Sequence, residues 1–283
     1  HPCCRRHQAQ IPDHRCTVTR QARLRMFAGP NGSGKSTLKD EIAKALLEND
    51  SARTPEDIKA LKDDFEKALL GIYVNADEIE KELDQSGTLL FEPFKIKISE
   101  KDIIDFFNKH PLIKKANLQN DIVKLRVANN VLHFDGIAIN SYWAAALADF
   151  IRRKLLAAKT SFSFETVMSS RDKVEFLKEA KSKGFRTYLY FVATEDPDIN
   201  ISRVAHRVKM GGHPVPQDKI INRYHASLDL LIDALPYTDR AYIFDNSSED
   251  RVWIAEITEG NELEFKCEKI PRWFEKAILE KLT

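Results

Sequence analysis

Glycine is scarce in this chain, at 10 of 283 residues, and cysteine scarcer still at four. Long apolar runs and a charge of one sign are missing altogether. No stretch approaches the ~20 consecutive apolar residues that a membrane-crossing helix needs. No apolar core follows the basic start, as one would in a secretory signal. Lys and Arg total 44 against 43 Asp and Glu, a formal net charge of +1, so no bulk field recruits nucleic acid. These absences lead us to expect a cytosolic protein without membrane or nucleic-acid partners. Cys3, Cys4 and Cys16 crowd the start beside His1, His7 and His14. Their spacing matches no common zinc site, and residues 1–22 are expected to be a disordered or non-native leader. Cys267 stands apart and is expected to be a buried or strand thiol.

What glycine there is concentrates. Three of the ten fall within Gly29-Pro30-Asn31-Gly32-Ser33-Gly34-Lys35-Ser36-Thr37, the spacing that wraps backbone N–H groups around a phosphate chain. Glycine allows the wrap because it tolerates positive φ and puts no Cβ in the anion's way. Lys35 is placed to neutralise the β- and γ-phosphates, and Ser36 to offer a hydroxyl to Mg²⁺. All nine residues are read as ATP-binding. The flanks agree: Leu24–Ala28 reads as a short buried strand, and 37–47 as an amphipathic helix whose N-terminus favours an anion.

The rest of the chain, from about residue 23, alternates helical patterns with short β-branched or aromatic runs at Ile72–Asn75, Ser161–Phe164, Thr187–Ala193 and Ala241–Phe244. Alternation of this kind predicts an α/β fold, a P-loop-type parallel sheet flanked by helices, as one domain over 23–283. Two stretches break the rhythm. Thr54-Pro55-Glu56-Asp57 starts an extra helix within 51–70, with Ile58, Leu61, Phe65 and Leu69 at helical spacing. Residues 83–140 form a longer insertion, read as a helical cap with helices at Ser99–Lys109 and Leu118–Val131. The tail predicts a hairpin, Val252–Ile257 with Glu262–Phe265, and a closing helix over Pro271–Leu282.

Chemistry in such sheets collects at the carboxyl ends of strands. Asp77, just past the second strand, could accept the proton of an attacking hydroxyl, or simply stabilise the dipole of the helix it begins. Glu165 and Thr166 end an alternating strand, where a carboxylate can approach Mg²⁺ or bind substrate; they could equally belong to the following turn. Arg203 and Arg207 share a helix face, with His206, Lys209, His213 and Arg223 nearby. Either arginine could close on a phosphoryl group, Gly211-Gly212 serving as hinge, or the cluster could be a solvated face. Asp245-Asn246-Ser247 favours a turn after the last core strand, near which adenine often rests in small kinases; Asn246 is assigned to ATP binding.

Taken together, Phe27–Thr37, Asn75–Ile79, Phe164-Glu165-Thr166, Arg203–Arg207 with Gly212–Pro216, and Phe244–Ser247 resemble the zeta-toxin family of P-loop kinases, in order, over about residues 23–247. The resemblance implies ATP-dependent phosphorylation of a sugar hydroxyl, with UDP-N-acetylglucosamine as acceptor, and a small antitoxin that blocks the nucleotide site. It makes Asp77 the base, Lys35 the phosphate ligand, Arg203 or Arg207 the transition-state arginine, and Glu165 and Thr166 substrate contacts. The chain departs from the family where a second arginine is expected shortly before a Thr-Pro step. Here that step is Val215-Pro216, and His213 or Arg223 takes the place at the substrate. A different small-molecule acceptor is the main alternative. A regulatory or transport ATPase is the lesser one, since no Leu-Ser-Gly-Gly-Gln signature is present.

Overall fold

The first strand of the sheet is covered on both faces, and even Arg25 within it is buried. β1 (Arg23–Ala28) is buried along almost its whole length, as a strand covered on both sides of a parallel sheet must be. The computed structural model describes residues 21–48, 70–212 and 214–282, with backbone only over 43–48. The leader through residue 20, the helix expected from Thr54 to Leu69, and His213 lie outside the described residues.

The main elements after β1 are α1 (Lys35–Glu48), β2 (Ile72–Val74), α2 (Ala76–Ser86), β3 (Thr88–Leu90), α3 (Glu100–Lys109), α4 (Pro111–Lys115), β4 (Arg126–Ala128) and β5 (Val131–His133). Then follow α5 (Ser141–Ala157), β6 (Phe162–Thr166), α6 (Asp172–Ser182), β7 (Arg186–Ala193), α7 (Pro197–Lys209), α8 (Gln217–Asp229), β8 (Arg240–Asp245), β9 (Val252–Thr258) and β10 (Glu262–Phe265). The main sheet has seven strands in the order β10-β9-β8-β7-β1-β6-β2. β2, β6, β1, β7 and β8 run parallel, and the expected terminal hairpin adds β9 and β10 antiparallel at one edge. The mixed α/β architecture follows the alternation of patterns along the chain. Cys267 sits half-buried just past β10 rather than within a strand.

Two consequences of this order place the site. Later strands add on both sides of β1, β6 and β2 on one and β7 and β8 on the other, so the strand order switches at β1 and a crevice opens at its carboxyl end. Register then sets what stands beside the crevice. Phe27 pairs with Glu165 and Ala28 with Thr166, so the acid of β6 lies beside the start of the glycine loop. On the other flank, Phe27 stacks on Tyr190 of β7 at 4.9 Å between centroids, fastening β1 to its second neighbour.

The insertion differs from its helical reading. α3 forms as expected, with a capping box at Ser99 and Asp102. The stretch read as a helix over Leu118–Val131 is instead a 3₁₀ turn, Gln119–Lys124, followed by β4 and β5. β3, β5 and β4 make a separate three-stranded antiparallel sheet. The cause is local. Asn129 and Asn130 both adopt positive φ, 50° and 63°, the pair of left-handed residues that a two-residue hairpin turn demands and a helix forbids. The insertion nonetheless shares the main core. Leu89, Phe107 and Leu132 belong to one buried cluster with Trp143, Phe150, Phe162 and Phe164, and Trp143 packs on Phe107 at 5.4 Å and Phe134 at 5.5 Å. Among the described residues, no helix is long and apolar enough to cross a membrane.

Candidate active site

An anion-binding loop must turn its N–H groups toward the ligand, which requires its carbonyls to find partners elsewhere. The glycine loop satisfies that condition at five carbonyls. Lys35 Nζ donates to the carbonyls of Gly29 and Pro30, both at 2.9 Å. Asn200, wholly buried in α7, donates to the carbonyl of Asn31 at 2.6 Å. Asn246 donates to that of Ser33 at 2.8 Å, and Arg251 to that of Gly34 at 3.1 Å. The amides of Lys35, Ser36 and Thr37 open α1 and have no acceptor within the helix. Ser33 Oγ is buried without a hydrogen-bond partner, an orphan inside the cradle that a phosphate oxygen would satisfy.

Two glycines are indispensable to this packing. Gly29 has φ 142°, and a Cβ there would come within 2.0 Å of the Val192 carbonyl of β7. Gly34 has φ 94°, and its Cβ would strike the Asn246 amide at 2.4 Å. Either alanine would be strained and would push the loop off the residues that hold it.

Lys35 is the electrostatic centre. Burial lowers its pKa to about 8, while Glu165 and Asp77 raise it and Arg207 and Arg223 lower it further. Four other predicted site residues thus act on Lys35 electrostatically. Ser36 Oγ donates to Glu165 Oε2 at 3.0 Å. A hydroxyl and a carboxylate oxygen side by side are hard donors of the kind Mg²⁺ prefers. Among the described residues no three His, Cys, Asp or Glu side chains gather as a metal cage.

Asp77 lies exposed in the first turn of α2. Its amide donates to Asn75 Oδ1, the helix cap, at 2.9 Å, so the cap occupies Asn75 and leaves the Asp77 carboxylate at the sheet's carboxyl edge. Thr166, next to Glu165, uses its hydroxyl to accept the Met168 N–H at 3.1 Å, shaping the turn after β6.

The two candidate arginines of α7 separate. Arg203 grips the turn after β8, donating to the carbonyls of Asn246 at 2.7 Å and Ser248 at 3.4 Å. Arg207, one turn on and exposed, is the one that acts on Lys35. Arg223 of α8 reaches Asn31 Oδ1 at 3.4 Å, which brings it to the glycine loop itself. Asn246 spends its side chain on the back of the loop, while Asp245 accepts from Ser247 Oγ at 2.7 Å and Trp273 Nε1 at 2.8 Å. The Asp-Asn-Ser segment is therefore a braced turn that shapes the loop.

Three residues enter the site that the sequence reading did not single out. Asn200 and Arg251 hold loop carbonyls from positions far along the chain. Tyr73 donates its hydroxyl to Glu165 Oε1. Tyr73 alone carried a signal, lying two residues before Asn75 on the strand that ends at the site.

No protein-family model matches the chain. A stretch of 63 residues is 33% identical to an uncharacterized protein of Haemophilus influenzae, covering 22% of this chain and 45% of that protein. Among solved structures, that of AvrRxo1-ORF1:-ORF2 with ATP superposes with a TM-score of 0.51 at 13% identity, over 87% of this chain and 61% of the other. The PezAT chromosomal toxin–antitoxin system of Streptococcus pneumoniae matches at 14% identity over 93% of this chain and 78% of the other, with a TM-score of 0.45. The chain thus spans less than half of the curated relative and about three-fifths of the AvrRxo1 chain. Identities this low speak for the fold alone: the chain has the P-loop kinase-type fold that its resemblance to the zeta-toxin family implied.

Proposed function

We propose that this chain is an ATP-dependent phosphotransferase of the zeta-toxin type, acting on a hydroxyl of a sugar nucleotide such as UDP-N-acetylglucosamine. One observation carries the reading. A desolvated lysine, Lys35, sits in a loop whose carbonyls are engaged by side chains, with carboxylates (Asp77, Glu165) and guanidiniums (Arg207, Arg223) both within its field. Phosphoryl transfer needs this combination: cations for the phosphates, a base for the acceptor, and a cation for the charge that develops on the transferred group.

In this reading Lys35 and the first amides of α1 hold the phosphates of ATP, and Ser33 Oγ gives its unused capacity to one of their oxygens. Ser36 and Glu165 would hold Mg²⁺, which supplies neutralising charge to the phosphates when bound. Asp77 accepts the proton as the acceptor oxygen bonds to the γ-phosphorus and the bond to the β-phosphate oxygen breaks, so ADP and a phosphomonoester leave. Arg207 meets the charge on the transferring group. Arg203 acts one step back, holding the turn that shapes the loop. Arg223, which reaches Asn31 Oδ1 at 3.4 Å, takes the place of the second family arginine. That the similar AvrRxo1 structure was determined with ATP, and as a complex of two chains, supports the nucleotide and a protein partner such as an antitoxin.

The acceptor is the point to test. ³¹P NMR with Mg·ATP should show a new phosphomonoester on UDP-N-acetylglucosamine, and none on a panel of free sugars and nucleosides. A signal on another acceptor alone would keep the kinase and replace the substrate. ADP and free phosphate with every acceptor untouched would point to an ATPase.

A further inference from the structure

We propose that Tyr73 is a positioning residue: through a hydrogen-bond chain that starts at the cap of α2, it holds Glu165 in place against Ser36. The inference rests on the phosphotransferase reading above.

The direction of the chain is set at its first link. Asn75 caps α2 with Oδ1, which accepts the Asp77 N–H at 2.9 Å. That choice leaves Asn75 Nδ2 as the donor, and it donates to the Tyr73 hydroxyl at 3.2 Å. Having accepted there, the hydroxyl has its own proton for Glu165, and it donates to Oε1. The other carboxylate oxygen, Oε2, accepts from Ser36 Oγ at 3.0 Å. Glu165 is therefore held at both oxygens, one by β2 and one by the start of α1, and every link has a single allowed polarity.

Register makes the contact possible. Tyr73 pairs with Ser163 in the parallel sheet, and Glu165, two residues further along β6, returns to the same face. Lys39 of α1 lies over the Tyr73 ring at 4.3 Å from its centroid, which fixes the ring by a cation–π contact. A carboxylate that would meet a metal is usually oriented by partners of this kind, and losing one weakens metal affinity.

The test uses binding rather than turnover. Mn²⁺ affinity of the full chain with ADP is followed by electron paramagnetic resonance, beside metal-free ADP affinity by calorimetry and the melting temperature. Tyr73→Phe keeps the ring and the Lys39 contact but removes the hydroxyl. It should weaken Mn²⁺ about tenfold, with metal-free ADP affinity and melting unchanged. Asn75→Asp keeps the cap and loses the donor, and should weaken Mn²⁺ in the same direction. Unchanged Mn²⁺ affinity in Tyr73→Phe would overturn the proposal while the nucleotide site stood. Equal weakening with and without metal, together with lower melting, would reduce Tyr73 to packing and overturn it too. Wild-type affinity in Asn75→Asp would break the relay at its first link. No ADP binding by the wild type would instead sink the phosphotransferase reading itself.

Discussion

A lysine is buried at a cost unless something negative is meant to join it. Lys35 meets that cost here: burial lowers its pKa to about 8 despite the pull of Glu165 and Asp77. The linkage has a definite sign. Because the folded pKa lies below the unfolded one, the unfolded chain binds more protons between about pH 8 and the ordinary lysine range. This group's penalty is therefore full below pH 8 and fades as pH rises through that window. For ligand binding the sign reverses. A phosphate needs the ammonium charged, so above pH 8 the protein must take up a proton to bind. ADP affinity should hold steady from pH 7 to 8 and then fall, approaching about tenfold per pH unit. Lys35→Arg, which cannot lose its charge, should flatten that fall. Calorimetry at pH 8.5 in buffers of different ionisation enthalpy would show the uptake directly. An affinity independent of pH up to 9.5 would contradict the assignment.

At the scale of elements, α7 and the turn after β8 divide labour that the sequence left undivided. Arg203 and Arg207 sit one turn apart on one helix face, so spacing alone offers both for the same role. What separates them is the turn at Asn246 and Ser248, whose carbonyls engage Arg203. Arg207→Ala should lower kcat about 10²- to 10³-fold. Arg203→Ala should cost roughly 1–3 kcal/mol of stability from the unpaired carbonyls and weaken ATP binding more than kcat. Steady-state kinetics beside thermal melting would distinguish them, and the reverse pattern would exchange their roles. The same logic explains what could be read from the chain and what could not. The glycine loop was legible because its chemistry demands a contiguous pattern. Tyr73 could be placed near the site but not paired, because its partner Glu165 lies 92 positions away and meets it only through the register of β2 on β6. The strands of the insertion were missed because each is three residues long, too short to show alternation. The one signal available was Asn129-Asn130 at the turn.

For the molecule as a whole, the sheet order gathers residues scattered from Gly29 to Arg251 at one crevice. The parallel architecture could be read from the alternation of patterns, and the crevice from where β1 ends. The loop's outer supports could not: Asn200, Asn246 and Arg251 serve it from α7 and the turn after β8, contacts that exist only once the sheet has closed its order. The insertion departs after α2 and returns through α5 to β6, and so flanks the Asp77 and Glu165 side of the crevice, where an acceptor would approach. In the proposed function this crevice transfers a phosphoryl group with Asp77 as the base. Its most direct test is a single-turnover assay of wild type and Asp77→Asn with Mg·ATP and UDP-N-acetylglucosamine, following the ³¹P signal of the product and ATP affinity in parallel. ATP binding should stay within about twofold of wild type, and transfer should slow at least about 10²-fold. Transfer at the wild-type rate in Asp77→Asn would contradict it and leave Asp77 as a residue of the helix start alone.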